Sequence, residues 1–158
     1  SMDTDQTLKL KAFEFLCDNY CGVISTVSIQ NKPEAALVYY VVDGKNIYLI
    51  TPMISRKLKN ISTNEWAALV VFKELSSEEL QVEGIAEVTN DPQLKKHISG
   101  LYLEKANRNS QTINWPPVLK LPNLDGFAFV KISVDWFKFS DFSKQDAVIV
   151  EGTAEDWE

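Results

Sequence analysis

A chain of 158 residues with 45% apolar and 24% charged side chains suits one globular domain that buries roughly 70% of its unfolded surface. Eight Phe, five Tyr and four Trp stock a core and exclude disorder over most of the length. Sixteen basic against 22 acidic side chains leave −6, the wrong sign for coating nucleic acid, and no apolar run approaches the ~20 residues of a membrane span.

Ser1-Met2 reads as an expression scar, and no signal-peptide pattern follows it. Ala12, Phe13, Leu16, Cys17 and Tyr20 form an i, i+1, i+4, i+5, i+8 stripe that predicts an amphipathic helix over 7–20. Cys17 and Cys21 make no disulfide framework and read as small apolar residues at the helix end. With a single histidine in the chain, they argue against a dedicated zinc or haem site. Val23 to Ile29, β-branched at nearly every position, predicts a strand. Ala35 to Val42, largely apolar, predicts a second strand buried on both faces. Asp43-Gly44-Lys45-Asn46 is a hairpin signal before a third, Ile47 to Thr51. Ser55 is an N-cap for a helix over 56–64, with Leu58 and Ile61 inward. Trp66 to Phe72 and Leu80 to Val88 are strands four and five. Asp91-Pro92 opens a helix that buries Leu94, Ile98, Leu101 and Tyr102. The segment from Asn107 to Asp125, with Trp115-Pro116-Pro117, is longer than a simple connector, and loops of that length are functional or disordered. Gly126 to Phe139 is a sixth strand. The expected architecture is mainly β with helices (α+β): a six-stranded antiparallel barrel over 3–142, flanked by helices, with a loose acidic tail over 143–158.

The chemistry-bearing stretch is Ile50-Thr51-Pro52-Met53-Ile54-Ser55-Arg56-Lys57. A helix start offers unpaired N–H groups and the positive end of a dipole, which suits an anion. Cations oppose that dipole, so Arg56 and Lys57 in the first turn call for an anion to offset them. Thr51 and Ser55 add hydroxyl groups, and arginine grips phosphate oxygens bidentately. The competing reading of Ser-Arg-Lys alone is a solvated basic turn.

The run YLITPMISRKLKNISTNEWAALVVF, between VVDGKN and LQVEGIAEVTND, resembles the pyridoxamine-phosphate oxidase-like family of FMN-binding split barrels. The likeness covers residues 8 to 90 well and the closing strand more weakly. It implies a split-barrel homodimer with FMN at the subunit interface. By that resemblance Arg56 and Lys57 hold the FMN phosphate, helped by Thr51 and Ser55. Ile50, Leu37, Val38 and Tyr39 would lie along the ring and ribityl chain, partly through backbone groups. The family's flavin-contacting glutamine falls at Glu79, with Gln81 on the same strand face as its substitute.

Departures set the chain apart from the vitamin oxidase itself. Ala35-Ala36 stands where that enzyme carries arginine, Tyr40 replaces a lysine and Phe139 a tryptophan. Ser140-Asp141-Phe142 continues without basic residues. The expected function is therefore an FMN-dependent oxidoreductase that moves hydride or electrons to or from a small organic substrate or a nicotinamide. Two alternatives stay open: a flavin-binding stress or redox-buffering protein without turnover, and a dimeric barrel that has lost its cofactor. His97 reads as a surface histidine, Glu83 and Glu87 as a solvated face, and Trp115 as either a lid or a surface pin. A cytoplasmic protein without nucleic-acid or membrane partners is expected.

Overall fold

The structure, a computed structural model, describes residues 4–73, 75–109 and 124–157. The loop reading of residues 110–123, including Trp115, and the Ser1-Met2 scar lie outside the described residues.

Thr4 caps the first helix, α1 (Asp5–Asp18), by accepting from the Thr7 N–H. The chain then enters β1 (Cys21–Val27) and turns through Asn31, at φ 60°, into β2 (Pro33–Asp43). The expected Asp43–Asn46 hairpin forms, with Gly44 at φ 60° supplying the left-handed turn residue, and leads to β3 (Asn46–Pro52). Helix α2 (Arg56–Thr63) precedes β4 (Trp66–Phe72) and β5 (Glu78–Thr89). Helix α3 (Pro92–Arg108) starts on the predicted Asp91 cap and runs on to Arg108, so Asn107 is helix rather than loop. The long β6 (Phe127–Asp141) and the short β7 (Val148–Gly152) follow, closed by a 3-10 turn, Ala154–Trp157.

All strand pairs are antiparallel, in the order β3-β2-β1-β4-β5-β6-β7. A further pairing of β3 with β6, from Asn46↔Ser133 to Pro52↔Phe127, closes six strands into a barrel. The expected six-stranded α+β split barrel is therefore present, with β7 added on the outer half of β6. β6 bulges at Asp135, opposite the Glu83–Gly84 step of β5, and a Cβ on Gly84 would meet the Ser133 carbonyl at 2.3 Å, so β5 and β6 approach this closely only because glycine stands there.

Alternation along the strands sorts side chains into two apolar bodies. The barrel interior holds Ile24, Val38, Tyr40, Ile47, Leu49, Leu69, Val71, Leu80, Val82, Val130 and Ile132. On the outside, α3 covers the opposite faces of β2, β3 and β6 with Ile98, Tyr102 and Ala106 against Val41, Tyr48 and Phe129.

Three expectations are corrected. The segment 143–158, expected to be loose, carries β7 and buries Trp157, whose ring stacks on Phe137 at 4.6 Å and whose indole N–H donates to the Lys9 carbonyl at 3.0 Å. The domain thus continues past 142, because a β-branched triplet, Val148-Ile149-Val150, extends the sheet. Strand β2 is buried on both faces only in its second half, where α3 covers it; in its first half Leu37 is 63% exposed. Helix α1 buries Phe15 rather than Phe13, because it is wedged between β6 and the closing turn. Phe15 meets Phe139 at 5.4 Å and Phe13 meets Trp157 at 5.1 Å. Among the described residues no helix is long and apolar enough to cross a membrane.

Candidate functional site: a basic pocket at the barrel end

Helix α2 plugs one end of the barrel, and its first turn is where the sequence concentrates cations. Ser55, in extended conformation, accepts from the Leu58 N–H at 3.3 Å, and the buried Thr51 hydroxyl donates to Ser55 Oγ at 3.1 Å. Thr51 thus fixes the capping serine, which fixes where the helix begins. The N–H groups of Arg56 and Lys57 have no carbonyl partner within the helix, as at any α-helix start.

A cavity of about 170 Å³ opens beside this turn, lined by Ile24, Thr26, Glu34, Ala35, Ala36, Arg56 and Lys57. Thr51 and Ser55 support the site from behind and do not line it. The Arg56 guanidinium donates to one carboxylate oxygen of Glu34, and the other accepts from Asn60 Nδ2 at 2.8 Å. Asn60 is buried, and its amide also reaches Thr26 Oγ1 at 3.0 Å. Lys57 is half-buried, has no carboxylate partner among the described residues, and is held below its usual pKa by that burial. The cavity therefore combines one paired and one unpaired cation with helix N–H groups, a donor set that fits a phosphate.

The other predicted site residues fall into three sets. Leu37 and Gln81 share the outer sheet face: the registers Leu37↔Val23, Val23↔Val70 and Val70↔Gln81 put the four in one row across β2, β1, β4 and β5. The row spans roughly 14 Å at ~4.8 Å per strand. Val38 points into the barrel, leaving only its backbone for a ligand. Tyr39 and Ile50 pack against the cluster under α3, away from the basic pocket.

Glu34, Asn60 and Thr26 were not anticipated. Sequence reading compared Ala35-Ala36 with arginine and passed over the carboxylate one residue earlier, which the hairpin register Thr26↔Glu34 brings to the pocket. His97 is exposed, as expected, and lies 3.2 Å from an Asp43 oxygen. Glu83 and Glu87 are exposed, and Glu87 pairs with Lys131 at 2.9 Å. Cys17 and Cys21 are free thiols of intermediate exposure, and burial pushes both thiols up, against the opposing pull of Lys105. Among the described residues no three His, Cys, Asp or Glu side chains group as a metal site.

A closed six-stranded antiparallel barrel with a helix at one end and one added strand defines the class of split barrels. The family model described as Pyridoxamine 5'-phosphate oxidase matches residues 8–141, and the chain belongs to that family. No curated protein matches it in sequence, which makes it a divergent member. Similar solved structures include a heme-binding protein from Mycobacterium smegmatis (TM-score 0.72, 14% identity), matched over 99% of this chain and 61% of that one, so this chain spans less than two thirds of that protein. General Stress Protein 26 from Bacillus anthracis is similar at TM-score 0.64 and 21% identity, over 83% and 92% of the two chains. An FAD-binding protein from Mesorhizobium loti is similar at TM-score 0.62 and 14% identity, over 83% and 90%. These identities show a shared fold, carried by proteins named for two different cofactors.

Proposed function

We propose that the protein is an FMN-binding flavoprotein, a homodimer that uses the bound flavin as an oxidoreductase toward a small organic substrate or a nicotinamide. The observation that carries the reading is the pocket at the start of α2, where Arg56 and the unpaired Lys57 converge on one cavity. Glu34 offsets Arg56, but Lys57 in the same first turn still opposes the helix dipole unless an anion joins it.

Membership of the family supports a flavin, as does a fold shared with an FAD-binding protein. When bound, FMN would supply hydride or electron transfer through its ring. Arg56, Lys57 and the first-turn N–H groups would hold the phosphate, while Thr51 and Ser55 keep the turn in register. The ring would lie along the outer face from Ala35 toward Leu37 and Gln81. The pocket itself, at about 170 Å³, falls below the roughly 300–1,000 Å³ of a site for a whole cofactor. The rest of the cofactor would lie outside it, on the outer face of β2, β1, β4 and β5, where a second copy of the chain would supply a further wall. Leu37 and Phe72, 63% and 59% exposed, stand on that face, beside a cavity of about 850 Å³ that they line together with α1.

The test is flavin retention. Purified protein mixed with FMN and desalted is expected to keep visible flavin absorbance at one cofactor per chain. The double variant Arg56→Ala/Lys57→Ala is expected to lose it with its circular dichroism unchanged. Undiminished retention in that variant would overturn the assignment. The Glu34–Arg56 ion pair favours a second reading, a barrel that holds no flavin because its arginine is satisfied internally. Under that reading the wild-type protein elutes colourless.

A further inference from the structure

We propose that Glu34 is a counter-ion built into the phosphate pocket, which an incoming phosphate must displace from Arg56, so that this one carboxylate sets how tightly the site holds a phosphate monoester. The inference rests on reading the pocket as a phosphate site. It concerns a residue at the start of β2 that lies within the residues the family model matches but outside the runs that carry the likeness.

Three observations support it. Glu34 lines the same cavity as Arg56 and Lys57, so a phosphate in that cavity lies against its carboxylate. Each carboxylate oxygen has its own donor, Arg56 on one side and the Asn60 amide at 2.8 Å on the other. Asn60 is itself buried and tied to Thr26 Oγ1 at 3.0 Å, and Thr26 is the cross-strand partner of Glu34. The carboxylate is thus seated on the β1–β2 ladder and aimed at the first turn of α2, rather than carried on a loop that swings clear.

The charges facing Glu34 come from each neighbouring element: Arg56 from α2 and Lys32 from the β1–β2 turn, with the neutral Asn60 amide between them. The Asn60 hydrogen bond foremost, then Arg56 and Lys32, hold the carboxyl below the usual carboxylate range, against the opposing effect of burial. It is therefore ionised at neutral pH. Arg56 and Lys57 against Glu34 leave the pocket one positive charge instead of two. A phosphate monoester carries about −1.5 to −2, so it meets repulsion from Glu34 while competing with it for the same guanidinium. Removing the carboxylate's charge relieves both.

The experiment titrates FMN and riboflavin, which lacks the phosphate, into wild-type protein, Glu34→Gln, Arg56→Ala and Glu34→Gln/Arg56→Ala, following flavin fluorescence. Glutamine keeps the shape and an oxygen for Asn60. Glu34→Gln is expected to tighten FMN by about tenfold and to leave riboflavin unchanged, so that the FMN-to-riboflavin affinity ratio rises. Removing Arg56 is expected to cost FMN binding more in the Glu34→Gln background than in wild type, because the guanidinium is released there. Glu34→Ala, which also drops the Asn60 contact, is the second variant and is expected to move FMN in the same direction. An affinity ratio in both variants equal to or below that of wild type overturns the counter-ion and leaves the phosphate pocket standing. Equal affinity for FMN and riboflavin in every protein, or no flavin binding by any, removes the phosphate reading and the counter-ion with it.

Discussion

Lys105 is 5% exposed, and its ammonium is met by a carbonyl and a ring: it donates to the Tyr40 carbonyl at 3.2 Å and lies 4.4 Å from the Tyr40 ring centroid. Burial, with no carboxylate in contact among the described residues, lowers its pKa from the usual lysine value to about 8. The native state therefore releases this proton earlier than the unfolded chain does. Between about pH 8 and the ordinary lysine value the unfolded state holds more protons, so this residue makes the protein more stable as pH rises. Below about pH 8 the buried charge is a standing cost. Lys105→Met is expected to match or exceed wild-type stability in urea at pH 7, with that advantage shrinking toward pH 9. An advantage that grows with pH would show that Lys105 contributes as a cation. The neighbouring Tyr40 hydroxyl, which donates to the Leu16 carbonyl at 2.6 Å, is pushed up by burial and stays neutral throughout this range.

Among the elements, β7 and the closing 3-10 turn work as a clasp on α1. Trp157 lies between Phe137 and Phe13, its N–H bonds the Lys9 carbonyl, and Asp156 pairs with the Lys9 ammonium at 3.3 Å. Trp157→Ala is expected to destabilise the fold by about 3–5 kcal/mol, measured by urea unfolding; a loss under about 1 kcal/mol would mean that α1 docks without it. This clasp was not legible in the sequence. Five residues of strand among acidic neighbours carry too little periodicity to distinguish sheet from tail, and Trp157 is buried only because α1 lies over it. The barrel strands were legible because β-branched residues alternate within them and turn residues separate them. α2 was legible from its Ser55 cap and the inward spacing of Leu58 and Ile61. What sequence reading missed in the site was tertiary: Glu34 reaches Arg56 through the β1–β2 register and the seating of α2, neither of which is written in local spacing. The burial of β2 was misjudged for a related reason. An apolar run marks a buried surface without saying whether a helix of the same chain or another body covers it.

For the whole molecule, the uneven cover of the barrel is the main feature. α3 shields β2, β3 and β6 on one side, and α1 with the closing turn packs against another. The row of Leu37, Val23, Val70 and Gln81 is only partly covered, with Leu37 exposed and the other three half-buried. A stable homodimer buries roughly 1,200–2,000 Å² or more, and this outer face is the proposed place for it. Sedimentation of the wild-type protein at micromolar concentration is expected to give a dimer. Leu37→Glu/Val70→Glu is expected to give a folded monomer that no longer retains FMN. A variant that stays dimeric would move the interface elsewhere.

The closing of the barrel also bears on how the chain is made. β3 cannot complete its ladder until Phe127 to Ser133 arrive, and Lys9 waits 148 residues for Trp157. Contacts this distant in sequence form slowly. On a ribosome, the early meander of β1, β2 and β3 would emerge with one edge unpaired and its inward face wet while the rest of the chain is still being translated. During that interval the nascent chain has the exposed strand edge and apolar surface that chaperones bind, and the finished barrel has neither at that seam.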